Sequence, residues 1–516
     1  MENKKTGNPV RSISLVMLLT LLGKLTGLLR DRMLTVNYGS SLTTSAFLTA
    51  SRIPRVFFDA MFASAISASF IPVFNELGER RGKEDALDFS ANFVSVIGAF
   101  AAVITVLGVV FARPLVTLFA DGYDAETAAL CASLTRVMFP TVLFTAVAYS
   151  YVGILQSFER FNLPALISVV ANAIVLIYYY TLNSRFGIYG LAIAFLIGWF
   201  MQAAIQAPTA HRLGFRFRPD FRLKSEGMKK VFALMLPVML STWVQPINLT
   251  INSKFGSRLF EGAGVSAVEL ASNLYLIVIG VFVLSVTNVI FPKLAKLSAA
   301  DAEQSFGETV RATLHSALYV VMPMTAGLMV LAAPLVRLIY GGGEFGDFSV
   351  AITARALVWF SLGMPGYTVQ TILSRVYFAE QNGKIPLIAG AASIAVNIVL
   401  CAVLSGPLDV AGLAVASTAA ITVNALILAI PLRKRGIRAF DRELTLNTLK
   451  SAAAAVIMAG AAYGALRAVS GFSAGKLGEL AAVAVPAVCG VLVYFILTLL
   501  LRCTEAKLAA GLIKRK

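Results

Sequence analysis

Between residues 24 and 59 the chain sets seven ionisable side chains into otherwise apolar sequence: Lys24, Arg30, Asp31, Arg32, Arg52, Arg55 and Asp59. Arg52, Arg55 and Asp59 follow the i, i+3, i+7 spacing of one helical face. Arg55 and Asp59 also stand four apart, close enough to neutralise each other in part. Arginine and lysine at this density suit an anion, above all phosphate oxygens, which a guanidinium grips through two parallel N–H bonds. The expected chemistry is therefore binding of a phosphorylated cargo in a cationic cavity, with Lys24, Arg30, Asp31, Arg52, Arg55 and Asp59 as the candidate site. Arg355, Asn273 and Glu269 are lesser candidates farther along the chain. Arg32, Arg136 and Arg375 lie nearer expected helix ends, where long cationic side chains reach the interface.

The elements that must position these groups follow from composition. The 516 residues are 58% hydrophobic and only 14% charged, with a mean hydropathy of +0.79. A soluble domain carries about a quarter charged residues. Apolar runs of about 20 residues recur along the chain, each long enough to cross a ~30 Å hydrocarbon core as a helix. Expected spans are 10–37, 44–75, 89–112, 127–157, 160–182, 186–208, 226–259, 266–297, 304–333, 348–379, 384–405, 410–432, 444–469 and 477–502. The first apolar stretch carries charges and runs too long for a cleaved signal peptide, so it is expected to be retained. The fold class is an all-α polytopic membrane protein of about fourteen transmembrane helices.

The net charge of +17 falls in short loops between spans. It speaks for orientation and anionic lipid contact, not for nucleic acid. Arg80, Arg81 and Lys83, the run from Arg212 to Lys230, Lys293 and Lys296, and Arg433 to Arg442 alternate with acidic loops at Asp121–Glu126 and Glu344–Asp347. The positive-inside rule then puts both termini in the cytoplasm. Four scattered cysteines read as core filler, and His211 and His315 are too far apart in sequence to suggest a metal site. Gly341–Gly346 reads as a turn, since no strand precedes it and no Walker lysine follows. Without an ATP motif, catalytic triad or metal-ligand spacing, no enzyme activity and no cofactor are expected. The candidate driving forces are membrane potential or a monovalent cation.

An internal repeat orders the spans. Ala112–Phe119 (ARPLVTLF) matches Ala332–Ile339 (AAPLVRLI), and Phe70-Ile71-Pro72 matches Ile290-Phe291-Pro292, both at an offset of 220 residues. Gly190-Leu191-Ala192 and Gly412-Leu413-Ala414 keep nearly the same register. Six spans per copy is even, so the copies share an orientation, as in transporters that rock one lobe against another. The expected division is an N-lobe over 1–222, a C-lobe over 223–435 and a C-terminal helix pair with a basic tail over 436–516. The two six-helix lobes would enclose a central cavity.

Gly27-Leu28-Leu29-Arg30-Asp31 resembles the Gly-x-x-Arg-Asp signature of the MurJ (MviN) family of lipid II flippases, within the multidrug/oligosaccharidyl-lipid/polysaccharide superfamily. Ala46-Phe47, Pro54 and Ser69–Pro72 are similar to the family's second helix. Arg136–Pro140, Arg160–Ala165, and Tyr377–Ala379 with Pro386 resemble later family segments in order. The resemblance spans about residues 10–435, and the last two spans fit the family's extra pair. It implies arginines that hold the pyrophosphate of an undecaprenyl-linked peptidoglycan precursor, with the lipid tail in a groove beside the last two helices. Arg30 and Asp31 map onto family residues, and Lys24 stands where the family usually has arginine. The family's later arginine of the second helix falls on Phe58, with Arg55 one turn earlier as the candidate substitute. Its acidic residue at the start of that helix falls on Ser45, and its Asp-Arg pair of the eighth helix falls on Ser272-Asn273. For the seventh helix, where some members carry a carboxylate for sodium, the chain offers Gln245, Asn248 and Asn252.

The function expected is flipping of lipid II from the inner to the outer leaflet by alternating access. Another lipid-linked oligosaccharide or MATE-type drug/cation antiport are the alternatives, and a non-transporting scaffold is a further one. Expected partners are the lipid-linked precursor and membrane lipids, with cell-wall synthesis proteins as candidates. A monomer in the bacterial cytoplasmic membrane is expected.

Overall fold

The computed structural model describes residues 9–58, 63–300, 302–380, 382–434, 441–469 and 475–506. Helix dominates throughout, as lipid requires of a backbone that must satisfy its own hydrogen bonds. Among the described residues the one β-type pairing is the bridge between Gly342 and Phe345. It closes the turn expected at the glycine-rich stretch, with Gly342 and Gly343 at φ 114° and 54°.

The chain divides into two compact units between Val265 and Ser266. The first contains α1 (Pro9–Tyr38), α2 (Leu42–Phe58), α3 (Ala63–Arg81), α4 (Lys83–Val110), α5 (Ala112–Phe119), α6 (Ala125–Met138), α7 (Thr141–Ser157), α8 (Asn162–Thr181), α9 (Asn183–Ala204), α10 (Ala207–Arg212), α11 (Glu226–Thr242) and α12 (Val244–Gly256). The second contains α13 (Gly264–Ala299), α14 (Glu303–Val330), α15 (Ala332–Tyr340), α16 (Asp347–Leu362), α17 (Met364–Ala379), α18 (Lys384–Lys434), α19 (Arg442–Val469) and α20 (Lys476–Leu500).

All fourteen expected spans fall on these helices. Among the described residues nine helices are long and apolar enough to cross a membrane, or ten if α16 and α17, bent by 48°, make one span. The segment α18 covers two expected spans, as two helices that meet at a kink where Asp409 has φ 46°, ψ −131°. The other three expected spans are the charged α1, the pair α2–α3 and the pair α11–α12. Prolines explain two breaks inside spans. Pro140 sits between α6 and α7, and Pro365 follows the break between α16 and α17. A proline lacks the N–H and its ring crowds the preceding turn.

The sequence repeat is also a repeat of elements. The helices α4 and α14 both have 28 residues and start 220 positions apart. Each bends into a short amphipathic helix, α5 and α15, at the matching stretches Ala112–Phe119 and Ala332–Ile339. Gly187 (φ 53°, ψ −144°) and Asp409 (φ 46°, ψ −131°) make the same unusual turn 222 residues apart.

In the first unit α1 packs on α8, α8 on α9 and α2 on α6, while α11 packs against α3. The core centres on Phe70, Phe74, Phe89, Phe93 and Phe158, with Phe70 stacked on Phe89 at 5.4 Å. Gly198 lets α9 approach the α8 backbone. A Cβ there would lie 3.0 Å from the Ala171 carbonyl oxygen, the small-residue contact that membrane helices use in place of a hydrophobic drive.

In the second unit α14 packs on α16, α17 and α19, and α19 pairs with α20. Tyr494 donates to the Tyr319 carbonyl at 2.7 Å, and the Tyr319 and Thr498 hydroxyls lie 3.0 Å apart, so α20 is bonded to α14. Arg311 of α14 binds Asp441 at 2.8 Å and Glu443 at 3.1 Å at the start of α19. Val456, Ile457, Val488, Val491 and Leu492 remain exposed on this last pair, as suits helices facing lipid.

Candidate functional site

The first unit holds a cavity of about 640 Å³. One wall comes from α1 and α2, with Lys24, Arg30 and Arg55. The rest of the lining comes from α7, α8 and α9, among them Tyr149, Gln156, Asn172, Trp199 and Gln202. Three of the cations expected to share one cavity therefore do so.

Arg30 is firmly held. Its Nε and Nη2 donate to Asp31 Oδ1 at 3.1 and 2.8 Å, and its Nη1 donates to Asn172 Oδ1 at 3.1 Å. The guanidinium lies 5.8 Å from the centre of the Phe195 ring. A guanidinium has five N–H donors. Three are engaged within the protein, which leaves one on Nη1 and one on Nη2 for an incoming oxygen pair. Asp31 and Asn172 thus fix the plane of the group and leave its donating edge available, the preorganisation that a bidentate phosphate contact needs.

Asn172 is buried on α8. Its Nδ2 donates to the Gly23 carbonyl at 3.2 Å and to Thr26 Oγ1 at 3.3 Å. One amide thereby ties α8 to α1 at three points. Gly23 and Gly27 keep this seam tight: a Cβ on Gly27 would come 3.4 Å from Asn172 Nδ2.

Lys24 lines the same cavity less than two turns before Arg30 and is half-buried. No ion pair with the described residues engages its ammonium. Arg55, on α2, is exposed to the cavity. Asp59 lies outside the described residues.

Arg52 stands elsewhere. It is 8% exposed, and its Nη1 donates to the Leu249 carbonyl at 2.9 Å and to Ser253 Oγ on α12. Expected on the cavity face with Arg55, it instead bonds α2 to α12. A step of three residues falls about 60° short of a full helical turn, enough to carry Arg52 from the cavity wall into the packed seam.

The lesser candidates belong to the second unit. Glu269 is 5% exposed in α13, where the Ser272 hydroxyl donates to its backbone carbonyl at 3.0 Å. Asn273 is half-buried on the same helix. Arg355 binds Asp409 at 2.9 Å, with about half of its side chain exposed. The contact joins α16 to the turn inside α18 and does not belong to the cavity of the first unit.

Sequence reasoning misses Asn172, Gln156, Trp199 and Gln202. The signal for them is slight: three amides inside apolar spans, two of them within four residues of an aromatic side chain.

Residues 36–500 match the family model described as lipid II flippase MurJ. The lipid II flippase MurJ of Burkholderia cenocepacia is 28% identical over 444 residues, covering 83% of this chain and 85% of that protein. A solved structure of lipid II flippase MurJ in an inward closed conformation aligns with a TM-score of 0.77 at 25% identity, over 95% of this chain and 99% of that one. An inward-facing multidrug resistance MATE transporter of the MOP superfamily aligns with a TM-score of 0.66 at 16% identity, over 82% of this chain and 98% of that one. That last likeness is one of fold.

Proposed function

The chain belongs to the lipid II flippase MurJ family, and we infer from this premise that it moves lipid II from the inner to the outer leaflet of the membrane. The observation that carries the reading is the cavity with Lys24, Arg30 and Arg55 on one wall, in a chain that matches the family over residues 36–500. A pyrophosphate offers only acceptor oxygens and negative charge, which these three cations complement. The cargo is carried and not chemically changed, so the site needs binding groups and a path, not a nucleophile.

The headgroup enters the cavity from the inner leaflet, and alternating access opens the cavity to the other side. Membrane potential, negative inside, favours outward passage of an anion by up to ~2.3 kcal/mol per charge per 100 mV. We take that potential as the driving force, with a monovalent cation as the other candidate. The basic loops favour both termini in the cytoplasm of a bacterial inner membrane, and a monomer suffices for the mechanism.

Complementation tests the reading. In a bacterium whose own lipid II flippase is depleted, expression of this chain restores growth and outer-leaflet lipid II. Sustained lysis with the chain inserted at normal levels contradicts it.

A further inference from the structure

The two walls of the cavity differ in chemistry. Those of α1 and α2 are cationic, whereas α7 and α9 bring Tyr149, Gln156, Trp199 and Gln202, with no charge among them. Gln202 is 6% exposed. Its backbone carbonyl accepts from Gln206, while its side-chain amide has no hydrogen-bond partner among the described residues. The half-buried amide of Gln156 is likewise unengaged there. Both amides line the cavity without a protein partner among the described residues, so each is available to a ligand there.

The donor–acceptor inventory narrows that ligand. A glutamine amide has an acceptor oxygen as well as two N–H donors. An ionised phosphate only accepts, so it leaves both amide oxygens unsatisfied. A ligand that complements both amides donates as well as accepts, as hydroxyl and acetamido groups do. Trp199 stands one turn before Gln202 on the same face of α9. Phe195 stacks on it with ring centroids 4.0 Å apart and an interplanar angle of 20°. The indole is therefore fixed in orientation and adds an apolar surface with one N–H donor. Phe195 also carries the Arg30 guanidinium. The aromatic wall thus begins where the anion-binding edge ends.

We propose that Gln156, Trp199 and Gln202 form a saccharide subsite, which engages an uncharged sugar carried directly on the diphosphate that Lys24, Arg30 and Arg55 bind. The proposal rests on the lipid-flippase reading of this same cavity. It assigns the amide–aromatic wall to the sugar and the cationic wall to the diphosphate.

Binding to the purified full chain in nanodiscs separates the two. The probes are undecaprenyl diphosphate without a sugar and the same lipid bearing an N-acetylated disaccharide. Wild type binds the disaccharide lipid more tightly. Trp199→Ala and Gln202→Met weaken that lipid by about tenfold each and leave the sugar-free lipid unchanged, which also certifies that the variants are folded. Equal loss of both lipids, or no loss of either, overturns the saccharide subsite while the flippase reading stands. Failure of wild type to bind either lipid overturns the flippase reading itself, and the subsite with it.

Discussion

Asn172 Oδ1 accepts a hydrogen bond from Arg30 Nη1 at 3.1 Å, although 142 residues separate the two in sequence. With Asp31 on the other side of the guanidinium, this contact fixes the aim of the group that the proposed function assigns to phosphate. The balance is specific: Asp31 neutralises the guanidinium and the Asn172 amide adds no second negative charge, so the cluster is neutral with two N–H donors left toward the cavity.

That balance predicts the order of two substitutions. Asn172→Asp sets a second carboxylate beside Arg30 and makes the cluster net negative, which repels a pyrophosphate, so transport falls by about 100-fold, the scale of two strong hydrogen bonds lost to an anion. Asn172→Leu keeps the charge and loses the alignment together with the amide's bonds to Gly23 and Thr26, with a fall of about tenfold. Rates of lipid II transfer by the two purified variants check this. Transfer by the Asn172→Asp variant at the wild-type rate contradicts it.

Arg52 makes the opposite prediction. Its bonds go to Leu249 and Ser253, so Arg52→Met lowers stability by about 2 kcal/mol, the scale for a buried hydrogen bond to a charged group. Affinity for a diphosphate lipid, measured on the folded fraction, stays within about twofold of wild type. A loss of cargo affinity without a lower melting temperature would place Arg52 in the binding path instead.

These two arginines mark how far sequence reasoning reaches. Charges at membrane depth are expensive, so Lys24, Arg30 and Arg55 stand out, and they share one cavity. Arg52 carries the same signal but serves packing, because spacing on a helix does not say which side meets a neighbour. The amides Asn172, Gln156 and Gln202 escape notice for a different reason. A neutral amide costs less to bury than a charge, and a single one in an apolar span is compatible with plain helix packing. The fourteen spans and the 220-residue repeat are legible because length and apolarity decide them locally. The breaks inside spans emerge only with the prolines and Asp409 seen in place.

Asp409 gives a stability prediction. Its φ of 46° and ψ of −131° lie where a side chain is strained by about 1–3 kcal/mol, and the equivalent turn of the first repeat has Gly187. The ion pair with the half-exposed Arg355 returns at most about 1 kcal/mol. Asp409→Gly therefore raises the melting temperature, while Asp409→Val lowers it. A lower melting temperature for Asp409→Gly would mean that the ion pair outweighs the strain.

An acid dependence follows from the loop between α5 and α6. Arg258 donates to both oxygens of Asp121 at 2.9 and 2.7 Å, with Lys254 at 3.4 Å. The Arg258 hydrogen bonds hold the Asp121 carboxyl below its ordinary value of 3.8. A depressed pKa contributes stability that is present above the unfolded value and lost as pH falls through the folded one. Wild type should thus exceed Asp121→Asn by a constant margin of under about 1 kcal/mol from about pH 7 to 5, and the margin should shrink below pH 3.8. Thermal melts across that range measure it, and a margin that grows on acidification contradicts the assignment.

On the proposed function the cations of the first unit's cavity let lipid II cross the membrane, and transfer of fluorescent lipid II in proteoliposomes reads this directly. The signal is the fraction of lipid that a membrane-impermeant quencher reaches with time. Wild type is expected to transfer the lipid, and the Arg30→Ala, Arg55→Ala double variant, reconstituted at equal density, to fall to the protein-free rate. Transfer by that variant at the wild-type rate, or by wild type no faster than by empty liposomes, would contradict a cation-borne passage of lipid II.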